Sequence, residues 1–487
     1  MNAPRRQLGL WVTAAIVVAN MIGTGVFTST GFQAKALHDP MTILLAWVIG
    51  GGLALCGAAA FAELGSMMPR AGGEYVYLRE AYHPAVGFMS GWVSMTAGFS
   101  APIAVSALAF AAYFSTLFPG LDSTPWIERV IGFGDHDLAT ITFGARQAIA
   151  MALVVLITML HSFDTKLGGR VQAVFTAAKV LLIVGFIGAG LLVGSGDWSN
   201  LESQHGGFAN IGTKEFAIAL MYVSFAYSGW NAAAYIAGDI EKPERTLPRA
   251  LLMGTGTVMV LYVLLNLVFF YAVPSDTLAG PVNDFKPVFE VGDAAARSLF
   301  GNSAGKLVTS MIAIALVSSV SAMVMAGPRV YAAMAADRAL PRQLAYHSER
   351  GVPTVAVVAQ GVLGVLFVLV GDLDKLIRFV GFSLAIFAAL TVGALFIMRR
   401  RGLSAPYRTF GYPVTPIAFI LLSGWIAYAQ IDAHPKESAI GGGVLLLGGL
   451  VYFVATRFTQ QPPPRSPLAP QEPGVPTARV VRDRSDD

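Results

Sequence analysis

Long apolar runs alternate along the chain with short polar connections. A run of about 20 apolar residues spans the roughly 30 Å hydrocarbon core of a bilayer as a helix. Twelve such runs are legible, at 8–34, 41–67, 84–118, 145–163, 170–194, 215–238, 247–273, 303–335, 353–371, 374–398, 412–431 and 438–456. The pattern predicts an all-α integral membrane protein with 12 transmembrane helices behind a short N-terminus, 1–7. The first run lacks a small-residue cleavage site and continues into a glycine motif, so it is expected to persist as a membrane helix and not to leave as a signal peptide. Beyond Arg457 the chain becomes Pro-, Arg- and Asp-rich, ending QQPPPRSPLAPQEPGVPTARVVRDRSDD. This is too polar and proline-rich to pack, and 457–487 are expected to form a disordered tail.

Two of the runs carry polar and small residues where a membrane helix ordinarily holds Leu or Ile. The first, LGLWVTAAIVVANMIGTGVFTSTGFQA, has Gly23 and Gly25 near mid-depth; the sixth, FAIALMYVSFAYSGWNAAAYIAGDI, has Ser224, Ser228, Gly229 and Asn231 there. Irregular backbone at that depth is tolerated where protein or a water-lined cavity satisfies its polar groups, so the pair points to a central site. The same glycines also suit close helix packing. Breaks five spans apart imply an inverted repeat, spans 1–5 (8–194) against spans 6–10 (215–398), with spans 11 and 12 (412–456) appended. A broken helix offers free N–H groups at one half-helix and free C=O groups at the other. The carboxylate and ammonium of an amino acid suit those two ends.

Composition narrows the class. Of 487 residues 55% are hydrophobic and 13% charged, with mean hydropathy +0.62, against about 25% charged in soluble domains. With the N-terminus inside, 22 of the 33 Lys and Arg fall on the cytoplasmic side, Arg5, Arg6, Lys166, Arg170, Arg249, Arg399, Arg400 and Arg401 among them. That excess predicts both termini in the cytoplasm. It also accounts for the pI of 9.1 through anionic headgroups, with no nucleic acid as partner. Cys56 is the single cysteine, which excludes an intrachain disulfide and a cysteine metal cluster. His161 has no second ligand at metal spacing and reads as interfacial. No GxxxxGK[ST] loop, GxSxG elbow or zinc signature occurs, so neither a built-in ATPase nor an enzyme is expected, and no cofactor or metal.

The motifs IGTGVF at 22–27, AELGSMMPRAGGEYVYLREAY at 62–82, GFMSGW at 87–92 and FAYSGWNAAAYIAGDIEKPERTLPRAL at 225–251 resemble those of the amino acid–polyamine–organocation superfamily. The resemblance, over about residues 5–400, is to amino acid permeases close to the L-type transporters and their bacterial relatives. It implies a LeuT-like fold that alternates access around discontinuous helices 1 and 6. It further implies that Ile22, Gly23, Thr24 and Gly25 hold the substrate carboxylate and part of the ammonium, with Phe225, Ala226 and Ser228 facing them. Phe225 would close over the substrate; Trp230 and Asn231 match positions beside its side chain. Ser228 departs from the glycine common in L-type members and narrows the pocket, favouring small to medium neutral L-amino acids. No acidic side chain is evident at either break. L-type relatives can be joined to an accessory glycoprotein by a cysteine between spans 3 and 4, and residues 119–144 contain none. A disulfide-linked subunit is therefore not expected, leaving a monomer or noncovalent homodimer among membrane lipid.

Lys179 lies nine residues past Arg170, about 13 Å along a helix, too deep to reach the headgroups. An ammonium inside the bilayer is expensive and marks function. The resemblance implies that it stands where sodium-coupled members of the fold bind a cation, which predicts sodium-independent exchange or proton-linked transport. Lys179 would bond the unwound backbone of span 1 as fixed charge or proton carrier, with Ser318 and Ser319 as neighbours. Glu63 and the run Asp239, Glu241, Lys242, Glu244, Arg245 suit gating or topology more than substrate contact. A polyamine or amine carrier of the same fold, and a non-transporting amino acid sensor, are the alternatives.

Overall fold

In a computed structural model the chain is described over residues 8–459, apart from 119–120, 122–123, 134–135, 164, 204–206, 281–286, 349–350 and 371–372. The N-terminus 1–7 with Arg5 and Arg6, and the tail from residue 460, lie outside the described residues. Among those described, ten helices are long and apolar enough to cross a membrane, so the protein is a multi-pass membrane protein.

The first crossing is two helices, α1 (Leu10–Met21) and α2 (Thr24–Leu37), and the second is α3 (Pro40–Met67). Asp39 caps α3, accepting the Thr42 N–H at 2.8 Å, and Pro40 occupies its first turn, the preferred residues at those positions. A short helix α4 (Glu74–Ala81) follows, then a third crossing made of α5 (Pro84–Val93), a wide π-turn (Ser94–Ser100) and α6 (Ala101–Leu117). Pro102, just past the wide turn, has no N–H to continue the ordinary ladder. Next come α7 (Ala145–Phe163) and α8 (Thr165–Leu192), then α9 (Lys214–Tyr227) and the single turn α10 (Ala232–Tyr235). The remainder is α11 (Pro243–Ala272), the short α12 (Ser275–Ala279), α13 (Val291–Ala336), α14 (Thr354–Val370), α15 (Leu373–Arg400), α16 (Val414–Ala433) and α17 (Pro435–Thr459). α13 is kinked at Gly301 (φ 79°), so its crossing part matches the span expected from residue 303.

Two of the twelve expected spans fall outside the ten. The one at 215–238 is interrupted after Tyr227, and the one at 353–371 is a helix of 17 residues. The all-α expectation needs one correction. Outside the helices, β1 (Ile127–Phe133) and β2 (His136–Phe143) pair antiparallel as a hairpin, with a bulge at Ile131/Gly132. The alternating Ile, Val and Thr of these stretches suit a two-stranded ribbon.

Small residues set the helix spacing around the centre. α3 packs its Gly- and Ala-rich faces against α9 and α11, while α13 lies against α6 and α8. A Cβ on Gly50 would come 2.3 Å from Val223, and one on Gly254 2.8 Å from Val17. Close approach of this kind fits membrane helices, where packing replaces the hydrophobic drive between them.

Candidate functional site

The site grows out of two backbone discontinuities. At the first, α1 stops at Met21, Ile22 and Gly23 are extended, and α2 starts at Thr24 without a side-chain cap. Three carbonyls at this break find side-chain donors on neighbouring helices. Ala19 C=O and Ile22 C=O accept from Lys179 Nζ on α8 at 2.8 and 2.5 Å. Met21 C=O accepts from the Tyr262 hydroxyl on α11 at 2.6 Å, and Ser319 Oγ on α13 donates to Ile22 C=O at 3.2 Å. Lys179, only 1% exposed, therefore spends its charge on backbone dipoles, and it has no carboxylate partner among the described residues. On the α2 side, Thr24 Oγ1 and Ser106 Oγ of α6 share a hydrogen bond of 2.8 Å.

At the second discontinuity, α9 ends at Tyr227, Ser228 is extended, and Gly229 takes φ +95°, a left-handed conformation open to glycine at little cost. Its missing side chain also matters: a Cβ there would stand 2.8 Å from Asn20 C=O. The breaks interlock a second time, since a Cβ on Gly25 would lie 2.3 Å from Ala226 Cα. Gly229 and Gly25 thus bring the two crossings into direct backbone contact beside their breaks.

Beyond Gly229, Trp230 packs edge-on against Phe61 (4.7 Å between centroids) and Phe419 (6.2 Å). Asn231 Nδ2 donates to Glu74 Oε1 at 2.9 Å and to the Tyr235 hydroxyl at 3.1 Å. Phe225, Ser228, Trp230 and Asn231 line a cavity of about 70 Å³ walled by α3, α15 and α16. Ser224 Oγ, buried with no hydrogen-bond partner among the described residues, also lines it.

The residues singled out in the sequence therefore form two adjacent groups. Ile22, Gly23, Thr24 and Gly25 meet Lys179, Ser319 and Ala226, but they do not line that cavity, because Gly25 lies directly against Ala226. Ser319 neighbours Lys179 at 3.5 Å, whereas Ser318 accepts from Gln172 Nε2 at 3.5 Å instead. His161, in the last turn of α7, is buried against α13, with Nε2 2.8 Å from Ser321 Oγ. Among the described residues no group of three or more His, Cys, Asp and Glu stands close enough to hold a metal. Residues missed from sequence are Asn20, Tyr262, Ser106, Gly229 as a contact, and above all Glu74, which brings a carboxylate to the second break.

A larger cavity, about 790 Å³, runs from Leu8 and Trp11 between α1, α8, α11 and α13 up to Ala19, Asn20 and Ala232. It opens sideways beside Trp11, 74% exposed. On this N-terminal face, Leu8 bridges to Asp239 and Glu241 through backbone bonds of 3.1 and 3.0 Å, and Arg329 reaches Asp239 at 3.8 Å. Arg79 pairs with Asp337, which also accepts from the Tyr75 hydroxyl at 3.0 Å. Glu63 takes a two-pronged pair from Arg399 at 2.8 and 2.7 Å and the Thr409 N–H at 2.6 Å. On the opposite face, Phe32 stacks on Tyr222, whose hydroxyl donates to Asp374 at 2.6 Å. Arg378 bonds the same carboxylate at 3.2 Å and His434 Nδ1 at 2.6 Å. Burial and the Arg378 cation hold the His434 imidazole down to about 4, so it accepts from Arg378 as a neutral ring at ordinary pH. These contacts gather the ends of α2, α9, α15 and α16 on this face, while the larger cavity reaches Ala19 and Asn20 of the first break from between α1, α8, α11 and α13.

Comparison with known proteins matches residues 8–454 to the family described as amino acid permease. The serine/threonine exchanger SteT of Bacillus subtilis is 29% identical over 93% of this chain and 97% of its own. The human b(0,+)-type amino acid transporter 1 is 27% identical over 92% of this chain and 87% of its own, and the human large neutral amino acids transporter small subunit 2 is 26% identical over 94% and 82%.

Proposed function

The chain belongs to the amino acid permease family, and from that premise we propose that it carries small to medium neutral L-amino acids without sodium, by exchange or linked to protons. It is a transporter of amino acids and not an enzyme, as its relatives are. The full architecture in this reading is twelve crossings, five plus five in inverted repeat with two appended. Both termini lie in the cytoplasm, and in a bacterial cell the membrane is the inner one. The N-terminal face is then cytoplasmic.

The observation that carries the reading is the lysine bridge at the first break. Lys179 Nζ bonds the carbonyls of Ala19 and Ile22 at 2.8 and 2.5 Å, which supplies a built-in cation to groups that would otherwise coordinate a free ion. Ile22, Gly23, Thr24 and Gly25 are the proposed seat of the substrate carboxylate and ammonium. With the breaks parted, Phe225, Ala226 and Ser228 would face them, and Trp230 and Asn231 would border the side chain. In this structure Gly25 and Ala226 touch, so binding requires the two breaks to part. Ser228 lining the cavity supports a small or medium side chain, as does the name of the serine/threonine exchanger among the relatives.

Counterflow into proteoliposomes tests this: labelled serine, alanine, leucine and arginine outside, unlabelled amino acid inside. Saturable, sodium-independent uptake stimulated from inside is expected. Binding without translocation would favour the sensor, and uptake of amines alone the polyamine carrier.

A further inference from the structure

Glu74 is an unusual acid for its surroundings. It opens α4 directly after Gly72 and Gly73, whose φ of +117° and +52° turn the chain back on itself. Gly72 N–H bonds Tyr235 C=O at 3.1 Å, and a Cβ on Gly73 would lie 2.5 Å from the Tyr235 ring. The glycine pair thus docks on α10 and delivers Glu74, 3% exposed, into the wall of the cavity behind the second break. There its hydrogen bond comes from Asn231 Nδ2 at 2.9 Å, and among the described residues no cation pairs with it.

The groups around it leave it uncompensated. Tyr77 on its own helix and Tyr235 on α10 face it as phenols, uncharged at ordinary pH. Charges on the packed elements are engaged elsewhere or exposed: Arg79 with Asp337 and Glu80, Arg378 of α15 with Asp374, Arg399 of α15 with Glu63 of α3, Arg401 on the carbonyls of Glu80 and Ala81, and Arg400 exposed at the end of α15. α5 presents only His83 at its exposed start, where the ring accepts from Ala85 N–H. Burial pushes the Glu74 carboxyl up to about 7, against the smaller downward pull of Asn231. An ionised carboxylate in an apolar wall without a counter-ion is costly, so closing the break around it favours the neutral acid.

We propose that Glu74 is the proton-binding site of this carrier, taking a proton on its carboxylate before the α9–α10 break closes and releasing it when the cavity is wetted. This rests on the transport reading and assigns its coupling ion. Asn231 joins the two, holding the acid by its amide while sitting beside the proposed substrate pocket.

The test is uptake of labelled serine and lysine into proteoliposomes from pH 5.5 to 8.5, with an internal pH dye, for the full chain, Glu74→Gln and Glu74→Asp. Wild-type serine uptake should fall about tenfold from pH 6 to pH 8, as one site near 7 requires, and acidify the lumen. Glu74→Gln should show a flat profile and no acidification, and Glu74→Asp a profile with a displaced midpoint. Should Glu74→Gln fail to insert, the Glu74→Asp midpoint decides alone, and an unmoved midpoint overturns the proposal. A Glu74→Gln protein with the wild-type profile overturns it as well, leaving amino acid transport standing. So does selective loss of lysine uptake with serine and its pH profile intact, which would make Glu74 a seat for a cationic side chain. Absence of saturable uptake at any pH would remove both this inference and the transport reading.

Discussion

The two broken crossings solve the same problem with opposite chemistry. At α1–α2 the exposed groups are carbonyls, and a buried ammonium with two hydroxyls satisfies them: Lys179, Tyr262 and Ser319. At α9–α10 a left-handed glycine makes the turn, and a buried carboxyl, Glu74, arrives from a separate loop through Asn231. The first break has its Ala19, Met21 and Ile22 carbonyls bonded by side chains and is tied to α8, α11 and α13. The second has a cavity and, among the described residues, a Ser224 hydroxyl without a hydrogen-bond partner and an acid without a paired cation. The difference assigns roles: the first break is an anchored frame, and the second is the part with room to change.

The contrast can be broken most severely where the two touch. Gly25→Leu should abolish counterflow and substrate binding, because its Cβ alone would lie 2.3 Å from Ala226 Cα; unchanged affinity in a binding titration would contradict the contact. Lys179→Ala comes next. It strips the charged donor from Ala19 and Ile22 carbonyls at a cost of roughly 3 kcal/mol, and transport should fall below a hundredth of wild type in the same counterflow assay.

A third effect separates the breaks by pH. The folded-state value of Glu74, about 7, is above the roughly 4.3 of a free glutamate. Its contribution to stability is therefore complete below about pH 4.3 and is lost as pH rises through about 7. Glu74→Gln should gain thermal stability over wild type at pH 8 and lose that advantage at pH 5, as read from unfolding followed by tryptophan fluorescence. A constant difference across pH would show that the carboxyl does not titrate in this range. The smallest effect is expected for Tyr262→Phe, which removes one hydrogen bond to Met21 C=O, about 1 kcal/mol; a modest drop in Tm with transport retained would place Tyr262 in the frame and not in the cycle.

What was legible in the sequence was local. Gly23 and Gly25, and Ser228 with Gly229, mark their own breaks because glycine and serine in an apolar run act on the backbone beside them. Lys179 announces itself by being the one cation deep in a span. The pairing of Glu74 with Asn231 joins residues 157 positions apart. A glutamate following two glycines in a polar loop carries no sign that the loop folds back against α10. The partner of His161 was hidden for the same reason, since Ser321 is 160 positions away. The nearness of Ile22–Gly25 to the α9 residues was legible through the family resemblance, whereas the side of α9 on which the cavity opens depends on how α3, α15 and α16 pack.

The most direct test of the account is serine counterflow into proteoliposomes with all sodium replaced by choline, comparing the wild-type chain with Lys179→Ala. Full wild-type uptake without sodium, and its loss in a correctly inserted Lys179→Ala protein, is the predicted result. Uptake that requires sodium in the wild type, or proceeds at the wild-type rate in Lys179→Ala, would contradict the claim that this lysine stands in for the coupling cation.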